Sequence, residues 1–157
     1  MPAGRLAGLA ITMDGLDLTQ VFLDVVRSEA AALLAFAERG APDLPAIIER
    51  LHGCRGRIVV LGAGKCAHVG RKIAATFAST GTPAVFVHPA EALHGDLGFV
   101  EKGDIALVLS NSGETAEITE VLPHLTRLGV PIVALCGRRD TTLAKRARHV
   151  IDTHVDA

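Results

Sequence analysis

The sequence predicts an α/β domain with a doubly wound, five-stranded, mainly parallel sheet. Three observations point there. Short continuous apolar runs recur along the chain, as strands buried on both faces require. Amphipathic stretches long enough to be helices separate most of them. The 157 residues, 49% of them apolar, suffice for one sizeable core.

The elements follow in order. Asp17 and Gln20, three apart, suit a capping box, and Phe22, Val26, Ala30, Leu33 and Ala37 then repeat at helical spacing. Gly40 suits the position just after that helix, and Pro42 follows it. A short helix is expected across "LPAIIERLHG", and these two leading helices are expected to cover the sheet or an oligomer interface. From there the rhythm becomes strand (57–62), helix (68–80), strand (83–88), strand (104–110), helix (115–129), strand (131–137) and strand (149–155). Pro123 removes one backbone bond from the helix over 115–129 and is expected to kink it. The basic run from Gly137 to His149 reads as a solvated face.

Composition narrows the function. A net charge of −1, with no Trp or Tyr, gives no basis for nucleic-acid binding. Cys54, Cys66 and Cys136 are odd in number and widely spaced, which suits reduced thiols. The apolar patch in "MPAGRLAGLAITMDG" is too short for a secretory core or a membrane span. The expectation is a soluble cytoplasmic protein with no membrane partner and a flexible tail over residues 1–16.

In sheets of this kind ligands sit beyond the carboxyl ends of the strands, where strand order reverses. For an order 2-1-3-4-5 the loops there are "GAGKCAH" and "SNSGET". Gly62 and Gly64 permit close backbone approach and Lys65 brings a cation. Ser110, Ser112 and Thr115 bring hydroxyls beside a helix N-terminus, a setting for an anion. The same composition also suits an ordinary turn. "GAGKCAHVG" lacks the spacing of a Walker A loop. As a dinucleotide fingerprint it has Ala67 at the third glycine, which that pattern tolerates, but "VFVHPAE" places no acid to hold a ribose.

"GAGKCAHVGRKIAATFASTGTPAVFVHPAEALHGDLG" together with "LSNSGETAEI" closely resembles the sugar isomerase (SIS) domain of D-arabinose 5-phosphate isomerases, from about Leu18 onward. The resemblance implies a flavodoxin-like SIS fold making one domain over 17–157. It implies interconversion of D-ribulose 5-phosphate and D-arabinose 5-phosphate through an enediol, toward the lipopolysaccharide sugar Kdo. It also implies a sugar-phosphate ligand, no cofactor, and a homo-oligomer, in this family a tetramer. By similarity Gly64, Ser110, Asn111, Ser112 and Thr115 hold the phosphate, with Ser79 as a further contact. Lys65, His94 and Glu117 match catalytic or polar positions. Beside this, Lys65 reads as a surface lysine, His94 as a loop histidine, and Glu117 as a first-turn acid favoured by the helix dipole.

Where the family often has G-x-G-K-S-G, this chain has Cys66 and Ala67 in the last two places. Family members continue with a further helix, a proposed catalytic Glu and a further His, and often two CBS domains; the expectation is that this chain lacks them. The alternative reading is a truncated or non-catalytic SIS module that binds a sugar phosphate without turnover. Spacing also allows His88, Glu91 and His94, with Asp96, as a metal cluster, although the isomerisation needs no metal.

Overall fold

A computed structural model describes residues 12, 13 and 15–155. The chain divides into two compact units, one ending at Gly40 and the other running from Ala41 to Val155. The helix expected from Asp17, which the sequence reading joins to the sheet domain, belongs to the first.

In that first unit β1 (Thr12–Met13) pairs antiparallel with β2 (Leu16–Asp17). The tail expected over 1–16 otherwise lies outside the described residues. Helix α1 (Leu18–Arg39) starts where the Asp17 carboxylate accepts from Thr19 and Gln20 N–H groups. The capping box is half made, because the Gln20 amide donates to Asp24 at 2.7 Å instead. Gly40 ends α1 at φ 71°, a conformation that glycine adopts without a Cβ penalty. No residue of α1 is buried, and Phe22 and Leu33 of its apolar stripe are 65% and 72% exposed.

The second unit holds α2 (Leu44–His52), β3 (Ile58–Gly62), α3 (Lys65–Ser79), β4 (Ala84–Val87), α4 (Pro89–Leu93), a 3-10 turn (Asp96–Phe99), β5 (Ile105–Leu109), α5 (Ala116–Arg127), β6 (Ile132–Cys136), α6 (Thr142–Arg146) and β7 (His149–Asp152). The sheet is parallel throughout, in the order β4-β3-β5-β6-β7. In order of appearance that is 2-1-3-4-5, so strand order reverses between β3 and β5, as the sequence reading requires.

Alternate residues of each strand feed two separate cores. Val59, Leu61, Ala106, Val108, Ala134 and Cys136 pack with α5 and α6. Ile58, Val60, Ile105, Leu107 and Val133 pack on the other face with Ile47 of α2 and Ala74 of α3. Both faces are thus covered, and β3 and β5 are buried at every position. Each fully buried Val, Leu or Ile contributes roughly 1.5–3 kcal/mol relative to exposure. Gly70 lets α3 approach the sheet, since a Cβ there would meet the Phe86 ring at 3.0 Å.

At the β7 edge the Asp43 carboxylate accepts from Val150 N–H at 2.9 Å, occupying a donor that would otherwise face outward. Helix α5 runs through Pro123, the missing N–H being the cost. The final strand ends at Asp152, and α3 starts at Lys65, three residues before the expected start. Among the described residues no helix is long and apolar enough to cross a membrane.

Candidate functional site

The sheet register sets the two chemistry-bearing loops side by side. Gly62, the last residue of β3, pairs with Leu109, the last of β5, so both chains leave the sheet at the same level. Gly64, at φ 56°, turns the first chain straight into α3, which places Lys65 in the first turn of that helix and not in a longer loop. Gly62 must lack a side chain, because a Cβ there would come within 2.8 Å of the Cys66 carbonyl oxygen.

The second loop is a hydroxyl cluster. Ser110 is 2% exposed, and its Oγ lies 2.8 Å from Thr115 Oγ1. Gly113 N–H donates to the same Ser110 Oγ at 3.1 Å. Ser112 is exposed, lies 3.5 Å from Thr115 Oγ1, and accepts from Glu114 N–H at 3.2 Å. Ser110, Ser112 and Thr115 are therefore brought together as the sequence reading anticipates. Asn111 anchors the loop differently: its carbonyl accepts from Gly137 N–H at 2.9 Å.

The helices that start here lack side-chain caps. Asp17, His88 and Thr141 each cap a helix elsewhere with a side chain, whereas Gly64 before α3 and Thr115 before α5 do not. Thr115 spends its hydroxyl on Ser110. Ala67 N–H donates to the Gly64 carbonyl at 3.0 Å, but among the described residues the N–H groups of Lys65 and Cys66 in α3 and of Ala116 and Glu117 in α5 have no partner, and each lies at the positive end of its helix dipole. Together with Lys65 they form an arrangement that can hold an oxyanion.

The remaining candidates fall into place unevenly. Lys65, His94 and Glu117 are all exposed, and no hydrogen bond or ion pair joins them to one another. His94 ends α4, on the segment following β4, and Glu117 lies in the first turn of α5. Ser79 lies apart from the other candidates. It is the last residue of α3, about 20 Å along the helix from Lys65. Its hydroxyl donates to the Thr76 carbonyl at 2.9 Å, which is a local helix bond. The metal alternative does not form either: among the described residues no three His, Cys, Asp or Glu gather so as to hold an ion. His88 instead caps α4, its Nδ1 accepting from Ala90 N–H at 3.3 Å.

Sequence reasoning missed the floor under the hydroxyl loop. Glu114 Oε1 accepts from Thr142 N–H at 2.6 Å, and Gly113 carbonyl accepts from Leu143 N–H at 3.1 Å. The Thr142 bond holds the Glu114 carboxyl below its ordinary value of 4.5. Helix α6, which makes these bonds, sits inside the stretch read as a solvated basic face, yet Thr141, Leu143 and Ala144 are buried. "DTTLAK", with a Thr cap before apolar Leu and Ala, carried the signal.

A parallel, doubly wound α/β domain with a hydroxyl-rich loop and two uncapped helix starts at its switch point defines the class. The chain belongs to the SIS domain family, whose model matches residues 51–157. It is 46% identical over 143 residues to the arabinose 5-phosphate isomerase KdsD of Pseudomonas aeruginosa, covering 91% of this chain and 43% of that protein. To KdsD of Escherichia coli K12 it is 44% identical over 133 residues, covering 85% and 40% respectively. The chain therefore spans about two fifths of the length of these relatives. A solved structure of the c3406 protein of E. coli CFT073, in complex with arabinose 5-phosphate, superposes with a TM-score of 0.87 at 38% identity, over 92% of this chain and 77% of that one.

Proposed function

We propose that this SIS domain works as an aldose–ketose isomerase, interconverting D-ribulose 5-phosphate and D-arabinose 5-phosphate on the route to Kdo and lipopolysaccharide. The reading is supported by the KdsD relatives and by the arabinose 5-phosphate bound to the structural neighbour. The observation that carries it is the cluster of Ser110, Ser112 and Thr115 beside the uncapped start of α5, at the end of the sheet where α3 begins with Lys65. That cluster suits a phosphate, and the sugar then extends toward Lys65. The protein is a cytoplasmic homo-oligomer, a tetramer in this reading, and the reaction uses no cofactor.

From the ketose, a base takes the C1 proton and the electron pair forms the C1–C2 double bond of an enediolate. Negative charge collects first on the C2 oxygen; the O1 proton then moves to O2, which shifts the charge to O1, and a proton returned to C2 leaves the C1 aldehyde. Lys65 stabilises the developing oxyanion. His94 contacts a sugar hydroxyl or transfers a proton, and Glu117 holds the sugar or serves in acid–base exchange.

The test is incubation of the 157-residue chain with D-ribulose 5-phosphate in deuterated water. Formation of D-arabinose 5-phosphate carrying deuterium at C2 is the expected result. Binding with neither turnover nor exchange would instead establish the non-catalytic sugar-phosphate module.

A further inference from the structure

A cavity of about 580 Å³ opens at the other end of the sheet. Its walls include Arg50 from the last turn of α2, Cys54 and Arg55 from the turn into β3, Ile105 at the start of β5, and His149 at the start of β7. These are amino ends of strands, whereas the hydroxyl loop sits beyond the carboxyl ends. A five-residue strand of about 16 Å separates the two levels.

Arg50 is the feature that needs an explanation. Its Nε is buried and has no hydrogen-bond partner among the described residues. A buried charged donor is normally matched by an acceptor. The carbonyls of Glu49 and Leu51 at the end of its own helix accept from the Gly53 and Cys54 N–H groups. The nearby buried carboxylate is committed elsewhere. Asp104 accepts from Arg57 N–H at 2.7 Å and from Glu101 N–H at 3.0 Å, and faces the Arg57 side chain at 4.0 Å. That leaves two arginines, Arg50 and Arg55, against the exposed Glu49, so the free charge on the wall is positive.

We infer that this cleft is a second oxyanion site, taking a small phosphate- or carboxylate-bearing molecule on the guanidinium groups of Arg50 and Arg55. Guanidinium forks match both anions, and the volume lies in the range of small-molecule sites. The inference does not depend on the isomerase reading, since no residue is shared with the hydroxyl loop.

Amide NMR on the full ¹⁵N-labelled chain tests it, with inorganic phosphate in one titration and citrate in another. Saturable shifts at Gly53, Cys54, Arg55 and Gly103 are expected from at least one anion, and the anion that saturates first identifies the preferred head group. R50Q should weaken that response at least tenfold while shifts in residues 110–115 persist. Because Arg55 is exposed, R55Q leaves the fold intact and should weaken it several-fold. Shifts confined to residues 110–115 with both anions would overturn the inference. So would a response at Gly53–Arg55 that R55Q leaves unchanged. A response there without one at residues 110–115 would support this site and count against the phosphate loop.

Discussion

Glu114 and Thr142, 28 positions apart in sequence, are joined by a 2.6 Å bond from the Thr142 N–H to the Glu114 carboxylate. The bond ties the loop after β5 to the first turn of α6, so the hydroxyl cluster rests on a helix start. Thr142 is the main cause of the lowered Glu114 pKa, with Lys145 and Arg138 adding to it. A carboxyl depressed in the folded state adds stability above its ordinary pKa of 4.5, and that stability fades as pH falls through the lower folded value. Glu114→Gln should therefore flatten the acid limb of a melting-temperature profile below about pH 4.5. An identical acid limb in both proteins would show that the bond does not persist in solution.

Gly113 should be intolerant of any side chain. Its φ of 66° disfavours one, and a Cβ would overlap the Thr141 hydroxyl, which is buried and caps α6. Strain and overpacking together should make Gly113→Ala cost about 2–4 kcal/mol. Urea unfolding measures this directly. Gly98→Ala is the control, because its Cβ would meet nothing within 4 Å.

The sheet was legible because its evidence is local: the runs over 57–62, 104–110 and 131–137 are apolar at every position between their two end residues. Loop chemistry was legible too, since Ser110, Ser112 and Thr115 lie within six residues. Helix α4 was not, and α6 showed only its Thr cap, because five residues each do not complete two helical turns of pattern. The Glu114–Thr142 bond left no local trace, its partner being set by strand order. Ser79 lies apart from the hydroxyl loop for a different reason. A helix that starts at the site ends far from it, and the count of residues from Lys65 already said so.

Of the three cysteines, Cys136 should be the inert one. It is fully buried in β6, burial raises its thiol pKa, and its Sγ donates to the Arg138 carbonyl at 3.1 Å. Cys54 and Cys66 are half-buried. Native-state labelling with an aromatic disulfide should therefore stop at two thiols, with the third appearing only in denaturant. Rapid release of all three would contradict the packing of β6 against α6.

Lys65 separates chemistry from folding. Its side chain is exposed and has no partner among the described residues, so Lys65→Ala should change stability by no more than about 0.5 kcal/mol. If it stabilises the enediolate oxygen, turnover should fall about a hundredfold or more. Paired melting and kcat measurements decide, and an unchanged rate would remove Lys65 from the mechanism.

Ser110 and Ser112 should part company despite their shared loop. Ser112 is exposed and its bonds within the loop are long, 3.2 and 3.5 Å, which leaves the hydroxyl able to turn to a ligand. Ser112→Ala should weaken binding of phosphorylated sugars by about 1.5–3 kcal/mol, roughly ten- to hundredfold, without altering affinity for unphosphorylated ones. Ser110 is buried and holds both Gly113 N–H and the Thr115 hydroxyl. Ser110→Ala should therefore cost about 1 kcal/mol of folding stability as well as binding, because it removes the bond to Thr115 Oγ1, while Gly113 N–H keeps the Ser110 carbonyl at 3.1 Å. Calorimetric titration beside urea unfolding tells them apart. Equal effects of the two variants on stability would mean that the hydroxyl cluster is not organised around Ser110.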